Sequence, residues 1–302
     1  MQTVNFTVCF SFCSKHITSR FYWKPIPNGF KKKLHKYLGV NVRMKRVLFF
    51  ISLVLLVVSL PLYTAEGYRD TTYHFGFKKS KNGQLPSIDE EGFKDIVEKH
   101  GAIFLGDTTK KELYLTFDNG YENGYTVKIL DTLKEKKVPA TFFVTGHYIK
   151  DQPDLLKRMT KEGHIIGNHS WSHPDMSQIS NDKIKEELEK VKEGITQVTG
   201  QKEVPFLRPP RGIFSERTLA VSKQLGYTSV FWSLAYKDWD TKAQRGWKYA
   251  YDNFMQQLHP GAVILLHSVS KDNADAMGKM IDDARKQGYE FKSLKQLPPK
   301  KQ

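Results

Sequence analysis

The stretch Lys111-Glu112-Leu113-Tyr114-Leu115-Thr116-Phe117-Asp118-Asn119-Gly120-Tyr121-Glu122-Asn123-Gly124 decides the fold. Leu113, Leu115 and Phe117 alternate with Glu112, Tyr114 and Thr116, the two-residue period of a strand, and the alternation stops at Asp118. Gly120, Asn123 and Gly124 then supply turn chemistry, and Thr126 begins a helical pattern. Asp118 and Asn119 therefore fall on a strand-to-helix corner. In a parallel α/β fold, active sites gather at the C-terminal ends of strands, where such corners lie. Taken alone, the segment also fits a solvated turn after an edge strand.

The chain beyond this corner keeps alternating short apolar runs with amphipathic stretches. A helix is expected over 126–137 with Val127, Leu130 and Leu133 inward, then a strand over 140–145. Pro153 opens a helix that Gly163 ends, and 164–167 is a short strand leading to Asn168 and His169. Ile184, Leu188, Val191, Ile195 and Val198 recur at spacings of four and three, so 181–199 is a helix that Gly200 can cap. Strands follow at 204–207, 228–232, 262–266 and 289–292. Helices are expected at 215–225, before His259, and at 274–287. About seven strands alternating with helices is the pattern of a parallel sheet approaching a barrel.

Upstream, 68–110 reads as an N-terminal extension with one short helix near 90–100. Residues 1–43 contain no acid and hold both cysteines, Cys9 and Cys13. Met44-Lys45-Arg46 and the apolar run from Val47 to Leu62 have the layout of a signal peptide. The run is shorter than the roughly 20 residues of a bilayer span, and Ala65-Glu66-Gly67 offers small residues for cleavage. The expectation is an exported protein whose translation begins at Met44, with an uncleaved signal anchor as the alternative. Any membrane contact would then run through this segment alone. Of the chain's net charge of +15, residues 1–67 carry +9, from ten Lys/Arg and one acid. The remaining +6 is dispersed, which suits a polyanionic cell wall better than nucleic acid. With no cysteine after Cys13, disulfides and thiolate metal sites are excluded from that part.

The reactive residues fall just after expected strands: Asp118, His169, Arg208, Asp238 and His267. His169 and His173, four apart and closed off by Pro174, can converge on one metal from a helical turn or a tight loop. His164 and His259 precede their strands and so belong to the opposite end of the sheet, and His147 can line the site without an assigned role.

Five blocks in order carry a resemblance: Thr116-Phe117-Asp118-Asn119-Gly120, His169-Ser170-Trp171-Ser172-His173-Pro174, Arg208-Pro209-Pro210-Arg211-Gly212, Asp238-Trp239 and Leu265-Leu266-His267. Together they resemble the NodB-type polysaccharide deacetylases of carbohydrate esterase family 4, over roughly 112–297. The first block, continued by Tyr121-Glu122-Asn123-Gly124, looks like the spore-cortex members that act on N-acetylmuramic acid before muramic δ-lactam forms. The resemblance implies a distorted (β/α) barrel of about seven parallel strands and hydrolysis of a sugar N-acetyl group. By the same resemblance Asp118 matches the general base, His169 and His173 the metal ligands, and His267 the acid that protonates the leaving nitrogen. Arg208 matches the arginine paired with the base, and Asp238 the residue that orients the histidine. Leu265 would pack near the acetyl methyl, with plain core packing as the alternative. Trp171 and Trp239 can stack on sugar or pack internally.

The residues fit that chemistry independently, since an amide resists water and its hydrolysis needs a polarised carbonyl, an activated water and a proton for the departing amine. Two departures stand out. The family usually places a second aspartate where this chain has Asn119, so the third ligand of the expected divalent ion is a neutral amide; zinc is the first expectation, and manganese or another divalent ion the alternative. Arg211 stands where an aromatic residue is common, and a guanidinium can hold the lactyl carboxylate of a peptide-free muramic acid. Peptidoglycan strands are the expected partner, with an N-acetylmuramoyl-L-alanine amidase acting first. A glucosamine deacetylase and a non-catalytic glycan-binding module are the rival readings.

Overall fold

The computed structural model describes residues 67–81 and 83–297. The expected segment 1–43, with Cys9 and Cys13, all but Gly67 of the expected signal segment 44–67, and the tail 298–302 lie outside the described residues. Strand β2 (Glu112–Asn119) is the axis of the domain: seven of its eight residues are buried, and it pairs with three other strands. On one side lies β3 (Ala140–Val144); on the other lies β8 (Ala262–His267), with β9 (Glu290–Phe291) pairing beside its first residues. The sheet continues outward from β3 through β4 (Ile165–Asn168), β5 (Phe206–Leu207) and β7 (Thr228–Ser229), and every pairing is parallel. Such a sheet is covered on both faces, which explains why Ala140–Val144 and the first five residues of β8 are buried without alternation. After β7 the chain bridges to β8 at Leu234 and Ile264, curling the sheet toward closure. A separate two-stranded ribbon joins β1 (Tyr73–His74) to β6 (Ile213–Phe214) and fastens the N-terminal extension to the domain.

Helices supply the crossovers: α2 (Thr126–Lys136) between β2 and β3, α3 (Gly146–Asp151) and α4 (Pro153–Lys161) before β4, and α5 (Asn181–Thr199) before β5. Then come α6 (Glu216–Gln224), α7 (Trp247–Gln256) and α8 (Lys271–Lys286), while α1 (Lys94–Lys99) belongs to the extension. The bounds of α5 match the sequence expectation, with Gly200 left-handed at its cap. Two expectations change. Val127 is half exposed, and Ile129 takes the inward place, because Thr126, Ile129, Leu130 and Leu133 share one face while Val127 lies beside Asp131 and Lys134. The strands expected at 204–207, 228–232 and 289–292 shrink to two residues each, and in the first Pro205 has no N–H to give a ladder.

The registers Asp118↔Phe143, Asp118↔His267 and Asn168↔Leu207 set the ends of β2, β3, β4, β5 and β8 on one rim. His164 and His259 lie at the opposite end, as expected: His164 Nδ1 accepts from the Ala140 N–H, and His259 hydrogen-bonds Ser233.

Candidate active site

Arg208, the first residue after β5, is fully buried, and its guanidinium is fixed on every side. Nη1 donates to Asp118 Oδ1 (2.9 Å) and Thr116 Oγ1 (2.8 Å), Nε to the Val230 carbonyl (3.0 Å) and Nη2 to the Phe231 carbonyl (3.2 Å). Its Cζ lies 4.3 Å from the Phe143 ring centre. Burial alone would raise the Asp118 carboxyl, but the charge of Arg208, with His169 and His267, holds it below its ordinary value. The carboxylate is thus ionised, with Oδ2 left toward the cavity.

His169 follows β4 and donates its Nδ1–H to the Arg208 carbonyl (2.8 Å), which leaves Nε2 as a bare lone pair. That nitrogen lies 3.6 Å from Asp118 Oδ2 and 3.2 Å from His173 Nε2. A tight loop, rather than a helical turn, brings His173 back. Ser170 and His173 both take left-handed backbone (φ 62° and 58°). Asn168 Oδ1 accepts from the Ser170 N–H, Ser170 Oγ from the His173 N–H, and buried Glu187 on α5 from the Ser172 N–H and hydroxyl. Gly146 lies directly under Trp171, where a Cβ would come within 2.2 Å of the indole. Trp171 is therefore partly packed against that backbone, and the Lys150 ammonium lies 5.0 Å from its ring centre.

His267 ends β8 and donates Nδ1–H to Asp238 Oδ1 (2.7 Å), while its backbone N–H goes to Asp238 Oδ2 (2.8 Å). Burial would lower this imidazole, but the Asp238 carboxylate raises it above its ordinary value, which favours the protonated form, and Nε2 is the nitrogen left to deliver a proton.

A cavity of about 920 Å³ gathers Asp118, His169, His173 and His267 at its base. Leu265 lies in its wall and is 7% exposed, so it is both core and lining. Arg211, exposed and left-handed at φ 58°, and Trp239, 54% exposed with the Lys237 ammonium 5.0 Å from its ring, stand at the mouth. His147 also lines it. Arg208 and Asp238 act from behind this wall.

Asn119 is the residue that is not brought in. Neighbouring strand residues point to opposite faces, and Asn119 Oδ1 accepts from the Ser268 hydroxyl (2.8 Å), with Nδ2 buried and unpartnered. The expected third ligand thus makes no bond to the histidine pair. The pair itself fits a divalent cation: burial lowers both imidazoles, His173 to about 4, which favours the neutral form that binds metal, and the two Nε2 atoms face each other 3.2 Å apart, where one N–H bridges them without an ion and both lone pairs can turn to an ion when one is bound. Among the described residues no further His, Cys, Asp or Glu completes a set of three around an ion. Sequence reasoning did not find Thr116, Glu187 or Asn273, which hold Arg208, the histidine loop and Asp238. Thr116 lies inside a recognised block, but Glu187 and Asn273 sit on helices with no signal beyond an unexplained polar residue on a buried face.

Residues 105–230 match the family described as polysaccharide deacetylase. The chain is 52% identical over 233 residues to the peptidoglycan-N-acetylmuramic acid deacetylase PdaA of Bacillus subtilis, spanning 77% of this chain and 88% of that one. It is 34% identical over 207 residues to a peptidoglycan-N-acetylglucosamine deacetylase of Bacillus cereus, spanning 66% and 72%. The solved structure of Bacillus subtilis PdaA, a family 4 carbohydrate esterase, superposes with a TM-score of 0.74 at 52% identity, over 76% of this chain and 97% of that one. Alike in fold and in sequence, and presenting a carboxylate, two histidines and an aspartate-bound histidine on one rim, this chain belongs to the NodB-type polysaccharide deacetylases of carbohydrate esterase family 4.

Proposed function

We propose that this protein is an exported, metal-assisted peptidoglycan N-deacetylase acting on N-acetylmuramic acid in peptide-free strands, ahead of δ-lactam formation in the spore cortex. The observation that carries the reading is that Asp118 and His267 are register partners on adjacent strands, one paired with the Arg208 guanidinium, which favours its ionised form, and the other bonded to the Asp238 carboxylate, which favours its protonated form. A base and an acid with oppositely displaced proton affinities are what amide hydrolysis needs. Asp118 takes a proton from water as its oxygen attacks the acetyl carbonyl. His267 gives its Nε2 proton to the sugar nitrogen as the C–N bond breaks, so acetate and a free amine leave. His169 and His173 would hold a divalent ion, zinc in the first instance, and the chemistry it would supply there is polarisation of the acetyl carbonyl. Leu265 lies where an acetyl methyl can rest, and Trp239 offers a face for a sugar ring.

Muramic acid is favoured over glucosamine by the identity with PdaA and by Arg211, whose guanidinium at the mouth can pair with a lactyl carboxylate. That carboxylate is free only after an amidase has removed the peptide. The signal-like 44–67 segment supports export to the wall side of the membrane. The test is acetate release by the purified protein from peptide-free and peptide-bearing strands, with zinc, manganese or chelator, and mass spectrometry to locate the lost acetyl. Loss from muramic acid on peptide-free strands is expected. Loss from glucosamine alone would overturn the substrate, and no release with retained glycan binding would leave a binding module.

A further inference from the structure

Behind Asp238 lies a buried chain of hydrogen bonds that no sequence block announced. Tyr236 Oη donates to Asn273 Oδ1 (2.7 Å), and Asn273 Nδ2 donates to Asp238 Oδ2 (2.6 Å). Asn273 is fully buried and Tyr236 is 8% exposed, so water does not compete for these bonds. Asn273 sits in the first turn of α8, where the Ser270 hydroxyl accepts from its N–H, and its Nδ2 also lies 3.3 Å from the His267 carbonyl.

We propose that Tyr236 and Asn273 are positioning residues for the general acid: together they fix the Asp238 carboxylate so that only Oδ1 is left for His267 Nδ1–H and Nε2 points into the cavity. The direction of each bond follows from the donors available. A tyrosine hydroxyl that gives its proton to Oδ1 determines which end of the Asn273 carboxamide faces Asp238, and that end is the N–H. Asp238 Oδ2 then receives two donors, the Asn273 amide and the His267 backbone N–H, which occupy both of its lone pairs. With Oδ2 saturated, the carboxylate cannot rotate to offer its other oxygen. Its remaining acceptor fixes the imidazole by the side opposite the substrate, as an aspartate does in a hydrolase triad.

The inference rests on the deacetylase reading for its catalytic consequence but not for its structural one, and the experiment separates them. In full-length protein labelled with ¹⁵N-histidine, the His267 Nδ1–H resonance is followed without substrate, and kcat and KM are measured on peptide-free strands. Tyr236→Phe keeps the ring and deletes only the hydroxyl; Asn273→Leu keeps the branched shape and deletes the amide. Both are expected to broaden or lose the Nδ1–H resonance through faster solvent exchange and to lower kcat by about ten-fold or more with KM little changed. A Tyr236→Phe protein that keeps the resonance and its kcat, whatever its Tm, overturns the proposal. A resonance that responds in a protein without deacetylase activity leaves the network standing and removes the reading of function.

Discussion

Arg208 Nη1 and Asp118 Oδ1 lie 2.9 Å apart with the arginine wholly enclosed, so the carboxylate read as the base is one half of a buried ion pair. Such a pair depends on completeness: the desolvation of two charges is offset by their attraction and by the hydrogen bonds around them. Here Thr116 and the carbonyls of Val230 and Phe231 accept three more of the guanidinium protons, so Arg208 has one orientation and Asp118 inherits it.

Arg208→Met is therefore expected to cost about 3–5 kcal/mol, because it leaves an uncompensated carboxylate in the interior. Urea denaturation gives this figure. If the variant folds, its acid limb of kcat/KM moves to higher pH, since the charge that held Asp118 ionised is gone. A limb that stays in place would remove Arg208 from the activation of the base.

The pH profile of the unaltered protein follows from two displaced groups. Asp118 must be ionised to accept a proton, and its affinity lies below the ordinary 3.8 because Arg208 overcomes the effect of burial. His267 must be protonated to donate, and its affinity lies above the ordinary 6.5 because Asp238 overcomes burial. His173, lowered to about 4 by burial and the neighbouring His169, protonates in the same acid region and loses its lone pair there. The expected profile of kcat/KM is a plateau that falls on the acid side near 4 or lower and on the alkaline side above 6.5. An alkaline limb at or below 6.5 would contradict the role given to His267.

What was legible beforehand follows the range of each signal. The alternation of β2, the spacing of α5 and the position of Asp118, His169, Arg208 and His267 after strands are local patterns, and the structure reproduces them. Val127 is expected inward because it lies three positions before Leu130, a spacing that fits the helix as well as Ile129 beside Leu130 does, and only packing in the folded domain selects Ile129. The direction of the Asn119 side chain depends on Ser268, 149 residues away, and the hold on Asp238 depends on Asn273 on the following helix. Contacts of that range leave no period in the sequence.

Asn119→Asp tests what the missing carboxylate does. Asn119 is fully buried with one hydrogen bond, from Ser268, so an aspartate there would be a nearly unpaired interior charge. Without metal the variant is expected to lose about 1–3 kcal/mol of stability. A divalent ion on His169 and His173 would draw the new carboxylate toward it, so metal affinity should rise by about ten-fold and the metal should restore the lost stability. Calorimetry for affinity and Tm with and without zinc read both. Unchanged affinity would show that Ser268 keeps the side chain away from the pair.

Arg211 carries the choice of sugar. Its backbone is left-handed at φ 58° in a short 3₁₀ turn, Pro210–Gly212, a conformation that disfavours any residue with a Cβ. The side chain is exposed at the mouth, and no ion pair among the described residues holds it. A charge-assisted contact between guanidinium and carboxylate contributes about 1.5–3 kcal/mol, which corresponds to roughly 10- to 100-fold in relative kcat/KM. Arg211→Ala keeps the backbone cost of a Cβ and deletes the charge, so the preference for muramic over glucosamine substrates should fall by that factor while glucosamine turnover stays level. Arg211→Lys keeps the charge without the planar fork and should fall between the two. If Arg211→Ala treats both sugars in the same ratio as the unaltered protein, the arginine does not read the lactyl group and selectivity must arise deeper in the cavity.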